Sequence, residues 1–148
     1  MEPDTERRLF VSAVERGLLY GCEAWTLTVA DAKSLDGLYT RMLRMALDVT
    51  REEHMRNVDL YGNLPRLTDK IRERRMRLAG HCIRHPELVA SELVLWEPTL
   101  GNRNNSGRHT TYIDCLKRDT GLSNTAEVKT LMEDRLRWRA AIHDPRLK

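Results

Sequence analysis

The sequence predicts an all-α protein, a small bundle of five or six helices. Apolar residues recur at helical spacing in several segments, and no segment shows the strict alternation of a half-buried strand. Capping-box pairs and prolines mark where several of these segments begin and end. A chain of 148 residues is long enough to bury a core of its own, so we expect a single helical domain over residues 1–148.

The first part of the chain contains two long helical patterns. Apolar residues at helical spacing predict a first helix over residues 5–20. Residues 21–28 then break the pattern. Thr28, with Asp31 three residues later, forms a capping-box pattern that predicts the start of a second helix. The apolar side of this helix continues to near Leu47.

A connector and a basic helix follow. Residues 48–65 have little helical spacing, and we expect a connector with one short helical turn after Asn57. Residues 66–85 form the next helical pattern, and Pro86 ends it because proline cannot continue a helix. Residues 87–96 are too few for periodicity to separate a helix from an extended segment, so both remain open.

The last third of the chain combines a loop with two further helices. Residues 98–109 are rich in Gly, Asn and Ser, a composition that predicts an exposed, mobile loop. Residues 110–119 predict a short helix. Asn124 and Glu127 give another capping-box pattern, which opens a last helix that ends before Pro145.

The composition is that of a globular protein with a well-solvated surface. Hydrophobic residues make up 41% and charged residues 32% of the chain, and the formal net charge is +3; this balance argues against disorder. The three cysteines are far apart and form no close pair, which favours a reducing intracellular location, nuclear or cytoplasmic. We find no signal-peptide pattern and no stretch of roughly 18 apolar residues, so we expect no membrane-spanning segment.

The segment from Arg66 to His85 separates apolar from basic residues and gives the clearest indication of function. At about 100° per residue, one half of this helix carries Leu67, Ile71, Met76, Leu78, Ala79, Cys82 and Ile83. The other half carries Lys70, Arg74, Arg77, His81 and Arg84. Seven Lys or Arg stand against two carboxylates here, a local excess of five positive charges. One side can therefore pack on a core while the other meets phosphate groups.

Basic residues further along the chain extend this predicted interface. We expect phosphate contacts from the basic helix and secondary contacts from the loop and the helix after it: Lys70, Arg74, Arg77 and Arg84, then Arg103, Arg108, Lys117 and Arg118. Aromatic residues make up only 5% of the chain, which favours contact with a duplex backbone over stacking on single-stranded bases. A basic helix is often only a solvated face, and that alternative stays open.

Sequence signatures of catalysis are absent. The chain has no Gly-rich phosphate loop that ends in Gly-Lys-Ser/Thr, no Gly-x-Ser-x-Gly turn and no His-Glu-x-x-His. A zinc site could be imagined from His81, His85, His109 and Cys115, but structural zinc usually comes with close ligand pairs such as Cys-x-x-Cys. We therefore predict no catalytic residue, no metal and no cofactor.

Seven short blocks carry a further signal through their order and spacing. They are residues 18–27 (LLYGCEAWTL), 64–67 (Leu-Pro-x-Leu), 71–84 (IRERRMRLAGHCIR), 96–98 (WEP), 107–108 (GR), 114–119 (DCLKRD) and 134–139 (DRLRWR). In this order they resemble the region that follows the catalytic palm in reverse transcriptases of non-LTR (LINE-type) retrotransposons. The resemblance covers residues 10–141.

The resemblance implies a thumb and the C-terminal segment that follows it, whose helices grip primer and template behind the active site. It also implies that the fingers, the palm and the metal-binding aspartates lie outside this chain, which is then a non-catalytic fragment of an RNA-directed DNA polymerase. We expect sequence-independent, electrostatic binding of RNA, DNA or their hybrid. In a longer polypeptide, the partner would be a reverse-transcriptase palm.

Two other interpretations remain open. The chain could be a protein-interaction domain or an inert remnant without a nucleic-acid role, in which Leu18, Leu19 and Trp25 form an apolar patch that once faced the palm and now favours self-association. An active enzyme would need a second chain to supply the catalytic carboxylates.

Overall fold

The computed structural model of the protein describes residues 3–98 and 110–144, and every regular element in these two ranges is helical. The all-α class predicted from the sequence is therefore confirmed. The α-helices are, in order, α1 (Pro3–Phe10), α2 (Arg16–Leu18), α3 (Val29–Ala46), α4 (Asn57–Tyr61), α5 (Leu67–Ile83), α6 (Val89–Val94), α7 (Tyr112–Thr120), α8 (Thr125–Glu133) and α9 (Arg135–His143). A π-helical segment, Val11–Glu15, joins α1 to α2, and a short 3-10 helix, Cys22–Ala24, lies between α2 and α3.

Most helices lie where the sequence predicts them. The first predicted helix corresponds to α1, the π-helical segment and α2, and the second corresponds to α3. The short turn after Asn57 is α4, and the basic helix is α5. Residues 87–96, for which the sequence leaves two conformations open, contain the helix α6. The predicted loop over residues 98–109 lies, from residue 99 onward, outside the described residues.

The last predicted helix is wrong in one respect, because it is two helices, α8 and α9. Asp134 separates them with an extended backbone, at φ −82° and ψ 100°, and its Oδ1 accepts hydrogen bonds of 3.0 Å from the N–H groups of Leu136 and Arg137. An aspartate that binds two free N–H groups favours the start of a new helix over the continuation of the preceding one. The described residues therefore hold more helices than the five or six predicted.

The contacts within the chain group its residues in two compact units. The first unit comprises Met1–Gly21 and Val29–Lys70, and the second comprises Cys22–Thr28 and Ile71–Lys148. The division falls within α5, whose first residues, up to Lys70, belong to the first unit. Each unit has buried residues of its own.

The core of the first unit is built around Tyr39 of α3. The Tyr39 ring is fully buried and packs edge-on against Phe10 of α1, with the ring centroids 5.3 Å apart. Leu60 of α4 is fully buried as well. Arg7 of α1 binds the end of α4, because its Nε donates to the carbonyl O of Leu60 at 3.0 Å.

The core of the second unit gathers the apolar side of α5 and one side of each later helix. Its buried members are Met76, Ala79, Cys82, Val94, Ile113, Leu116, Val128, Met132, Trp138 and Ile142. Leu78 and Ile83 are partly buried against them. The apolar side predicted for the basic helix is thus confirmed as its packing side.

A glycine of α5 lets α9 approach closely. The indole N–H of Trp138 donates to the carbonyl O of Met76 at 2.8 Å, which places the ring directly over Gly80. A Cβ atom at position 80 would lie only 2.5 Å from Trp138 Cδ1. The ring cannot retreat without losing its hydrogen bond, so this close approach requires glycine.

We expect Gly80→Ala to lower the free energy of unfolding by about 2–3 kcal/mol, since the methyl group overpacks the core and displaces the Trp138 hydrogen bond. Gly37→Ala in the middle of α3 is the matched control, because a Cβ atom there meets nothing within 4 Å. Helix propensity should make that variant more stable by up to about 1 kcal/mol. Urea denaturation followed by circular dichroism measures both, and equal stabilities would contradict the close packing at Gly80.

Candidate nucleic-acid interface

The start of the basic helix α5 is held by an aspartate of α3. The two carboxylate oxygens of Asp36 accept hydrogen bonds from Thr68, one from the backbone N–H at 3.1 Å and one from the hydroxyl at 2.7 Å. The first N–H groups of a helix have no partner within it, and a negative charge near them is favourable. Asp36 therefore stabilises the N-terminus of α5 within the first unit.

Lys70, the first predicted phosphate contact, is largely buried and already paired. Its side chain is 17% exposed, and its ammonium group donates to the carboxylate of Glu15, which is 8% exposed. The Tyr39 hydroxyl donates to the same carboxylate at 2.6 Å. Burial and this hydrogen bond to Glu15 raise the pKa of Tyr39, so the phenol keeps its proton. Because a buried pair is costly to break, Lys70 is poorly placed to leave Glu15 for a phosphate.

Arg72 lies inside the second unit, where it binds the ends of two other helices. It is 6% exposed. Its guanidinium donates to the carbonyl O of Asp119 in α7 at 2.8 and 3.2 Å, and to those of Ala141 and Ile142 in α9 at 3.1 and 3.0 Å. The last carbonyls of a helix lack partners within the helix, and a cation there is favoured by the helix dipole. One arginine thus satisfies the C-terminal ends of both α7 and α9.

Arg75 forms a buried ion pair with the side chain of Asp119. Its Nε lies 2.8 Å from Asp119 Oδ2, the two side chains are 4% and 7% exposed, and its Nη1 donates to the carbonyl O of Trp25 at 3.1 Å. Burial opposes the charge on Arg75, but the hydrogen bond and the attraction of Asp119 outweigh it, and the pKa of Arg75 lies above its ordinary value. Like Arg72, Arg75 makes its contacts with buried groups inside the second unit.

The outward side of α5 in the second unit presents Arg74 and Arg77. Both residues are exposed, and the side chain of Arg77 is 62% exposed. Arg77 donates to Glu73 one turn earlier, a surface pair of the kind that contributes about 0.5 kcal/mol or less. Arg74 lies beside the Cys22 thiol, whose pKa is raised by burial although the positive charge opposes the rise. A phosphate could replace Glu73 as the partner of Arg77 at little cost, and Arg74 is exposed as well. These two are therefore the best placed of the predicted contacts that the structure describes.

Three further predicted contacts, Arg84, Lys117 and Arg118, have partners in the second unit. Arg84 is half-buried, and its Nη1 donates at 2.9 Å to a backbone carbonyl in the last turn of α8. The ammonium group of Lys117 lies 2.6 Å from the Glu97 carboxylate and lowers the pKa of that group. Arg118 is exposed, with one N–H donating to the carbonyl O of Leu27 at 2.8 Å. Of these three, Arg118 is the one whose side chain lies at the surface.

The remaining predicted contacts, Arg103 and Arg108, lie outside the described residues. The sequence pattern missed three exposed arginines on α9, which are Arg135, Arg137 and Arg139. Their guanidinium groups make no hydrogen bond or ion pair with a residue in the ranges 3–98 and 110–144. They belong to the resemblance block over residues 134–139, but Arg137 lies on a different side of the helix from Arg135 and Arg139, so the three do not mark a single basic side. Their exposure is therefore visible only in the structure.

The residues of the imagined zinc site differ in their surroundings. Among the described residues, no group of three or more His, Cys, Asp or Glu is placed to hold a metal ion, and His109 is not among them. The rings of His81 and His85 lie 4.4 Å apart at exposed positions near the end of α5, whereas Cys115 is fully buried. Burial raises the pKa of the Cys115 thiol. A buried, protonated thiol is a poor ligand and a poor nucleophile.

The three residues of the apolar patch in the protein-interaction alternative, Leu18, Leu19 and Trp25, differ in burial. Leu19 is 1% exposed and belongs to the core. Leu18 and Trp25 are half-buried. Burial removes Leu19 from any surface patch, whereas Leu18 and Trp25 stay partly exposed.

No protein-family model, curated protein or solved structure matches this chain. Within residues 3–98 and 110–144, no helix is both long enough and apolar enough to cross a lipid bilayer. We therefore infer the roles of the basic residues from their burial and their hydrogen-bond partners. In the second unit these surroundings divide them into interior arginines and surface arginines.

We expect Asp119→Ala to lower the free energy of unfolding by about 3–5 kcal/mol, because Arg75 would be left buried without a countercharge. Glu73→Gln, which removes the surface partner of Arg77, is the matched control, with an expected change below about 0.5 kcal/mol. Urea titration measures both variants.

The double variant Arg75→Met/Asp119→Leu should recover most of the stability that Asp119→Ala removes, since an apolar pair of similar volume eliminates the buried charge. A double variant as unstable as Asp119→Ala would show that packing, and not the ion pair, determines stability at this position.

Proposed function

We propose that this chain binds the sugar-phosphate backbone of RNA, DNA or an RNA–DNA hybrid without reading the sequence. In this proposal it is a non-catalytic helical domain that resembles the thumb and following region of a retrotransposon reverse transcriptase. The phosphate contacts come from Arg74, Arg77 and Arg118 and from the three exposed arginines of α9. Lys70, Arg84 and Lys117 are half-buried and already have partners in their own units, so we assign them no phosphate contact.

The observation that carries this proposal is the contrast between the inward and outward arginines of α5. Arg72 and Arg75 direct their hydrogen bonds to backbone and carboxylate groups of the interior. Arg74 and Arg77, in the same two helical turns, are exposed. The interior contacts fix the helix, and a rigid element presents its outer side chains with little loss of order on binding.

Arginine is suited to this role by its chemistry. Its guanidinium is planar, remains charged at every physiological pH and can bind two phosphate oxygens at once. Such contacts release counterions and supply affinity, whereas sequence is read by side chains that reach the base edges. Side chains that contact only phosphates therefore favour binding without sequence preference.

The family resemblance supports the same role, because thumb helices hold a duplex behind a polymerase centre built by other parts of the enzyme. A two-metal polymerase centre needs converging carboxylates. We infer that a palm, and not this chain, supplies them. Polymerase activity of the isolated chain would contradict this inference.

We expect a short DNA duplex to bind with a log–log salt slope of about −5.4, the value for roughly six phosphate contacts. The double variant Arg74→Gln/Arg77→Gln removes two of these contacts, so the magnitude of the slope should fall by about 2 and the affinity should fall most at low salt. Fluorescence anisotropy at several salt concentrations measures both quantities.

The matched control is Arg8→Gln/Arg41→Gln, which removes the same charge from exposed arginines of the first unit. We expect this variant to keep the slope of the unchanged protein. A duplex affinity of the unchanged protein that does not depend on salt concentration would contradict the proposal. An equal loss in both double variants would show that only net charge matters, and not the assigned residues.

Protein–protein interaction is a second candidate function, which the exposed apolar side of α6 favours. Val89 and Leu93 lie one turn apart and are 78% and 63% exposed, and Trp96, just beyond the helix, is 56% exposed. Val94 is buried in the core of the second unit. Large apolar side chains that lie close together at a surface often mark an interaction site.

For this second candidate we expect self-association, seen as an apparent mass that rises with concentration in light scattering. Val89→Asp/Leu93→Asp should make the protein monomeric, because a charge on this surface must be desolvated on association. A protein that is monomeric at every concentration and binds DNA in a salt-dependent way would favour the first function over the second.

A further inference from the structure

The first unit contains an open cleft between α3 and α4. Its volume is about 730 Å³, and residues of both helices and of the segment before α5 line it. Val29 and Val58, which are 69% and 77% exposed, contribute apolar side chains to the lining. Pockets of about 300–1,000 Å³ with largely apolar walls are typical of sites for small organic ligands.

An aromatic ring in this cleft is held in place. The Tyr61 hydroxyl lies 2.8 Å from Thr40 Oγ1, and the Thr40 hydroxyl donates to the carbonyl O of Asp36 at 2.7 Å. Because the single proton of the Thr40 hydroxyl is donated to Asp36, the Tyr61 hydroxyl must donate its hydrogen bond to Thr40 Oγ1. The phenol is therefore oriented by two hydrogen bonds in series, and its ring, which lies 5.9 Å from the Tyr39 ring, forms part of the cleft wall that a planar group could contact.

The charges along the cleft favour an anion. Lys33 and Arg66 line it, are exposed, and make no ion pair with any residue that the structure describes. Asp36 is the one carboxylate among the lining residues, and both of its oxygens are engaged by Thr68. Two cations without such partners attract a ligand with a phosphate or carboxylate group.

Gly37 keeps part of the cleft empty. It lies in the interior of the 18-residue helix α3, where glycine costs about 1 kcal/mol relative to alanine. A Cβ atom at this position would meet nothing within 4 Å, so packing inside the chain does not require glycine. Space for a bound molecule would account for it.

We propose that this cleft binds a nucleotide, with the base against Tyr61 and Val58 and the phosphate near Lys33 and Arg66. The ligand is a free nucleoside monophosphate or one unpaired nucleotide of a strand, since both carry the same recognised groups. The site takes a single nucleotide, and it goes beyond the backbone contacts assigned to the second unit.

An NMR titration of the isotope-labelled protein with AMP tests the site. We expect the amide signals of Gly37, Val58 and Gly62 to shift in a saturable way. Adenosine lacks the phosphate and inorganic phosphate lacks the base, so each should bind at least about fivefold more weakly than AMP. Adenosine that binds as tightly as AMP, or shifts that do not cluster at the cleft, would overturn the proposal.

Variants separate the shape of the cleft from its charge. Gly37→Leu should abolish AMP binding by filling the space, and it should melt no lower than the unchanged protein because leucine favours a helix. Lys33→Gln and Arg66→Gln should each weaken AMP binding about fivefold. Arg41→Gln, which changes an exposed arginine of α3 outside the cleft lining, should leave AMP affinity unchanged. Unchanged AMP binding in Gly37→Leu would refute the site.

A short oligoadenylate distinguishes the two sources of the nucleotide. Competition between the oligonucleotide and AMP in the unchanged protein would assign the cleft to a strand, and AMP binding without competition would assign it to a free nucleotide. Salt-dependent duplex binding by Gly37→Leu should equal that of the unchanged protein. Failure of the cleft proposal and failure of the basic interface therefore give different results.

Discussion

The second unit depends on two guanidinium groups that lie in its interior. Arg72 binds the C-terminal carbonyls of α7 and α9, and Arg75 pairs with Asp119 of α7. A buried cation without partners would be far more costly than the removal of any one methyl group from the core. The C-terminal ends of α7 and α9 must therefore pack against α5 at Arg72 and Arg75. This packing places Trp138 of α9 over Gly80. It also determines which side of α5 stays exposed in the second unit.

Several arginines of this chain bind carbonyl groups at the C-terminal ends of helices. Arg7 binds the carbonyls of Asp59 and Leu60 at the end of α4, and Arg84 binds one at the end of α8. Each guanidinium replaces the partners that the last carbonyls of a helix lack, and its charge is favoured there by the helix dipole. A count of basic residues therefore overstates the charge available to a ligand. The excess of five charges on the basic helix includes Arg72 and Arg75 of the interior.

The sequence predicts the helices well, but it does not show which of their charged residues lie in the interior, for physical reasons. Apolar spacing identifies the packing side of α5, since Met76, Ala79 and Cys82 are buried as expected. The same spacing cannot show that Arg75 is buried, because its partner Asp119 lies 44 positions away in the chain. The break at Asp134 and the cleft at Gly37 likewise depend on contacts made only after folding.

Mutations of interior arginines and of exposed arginines on α5 must be interpreted differently. Replacement of an interior arginine removes charge and also removes either the helix-end caps made by Arg72 or the buried ion pair made by Arg75, so a loss of nucleic-acid binding would not identify a contact. Replacement of Arg74 or Arg77 leaves those caps intact. A change in salt dependence at these two positions, with stability unchanged, therefore reports on the interface alone. Pooling all seven basic residues of the segment would confuse a structural role with a binding role.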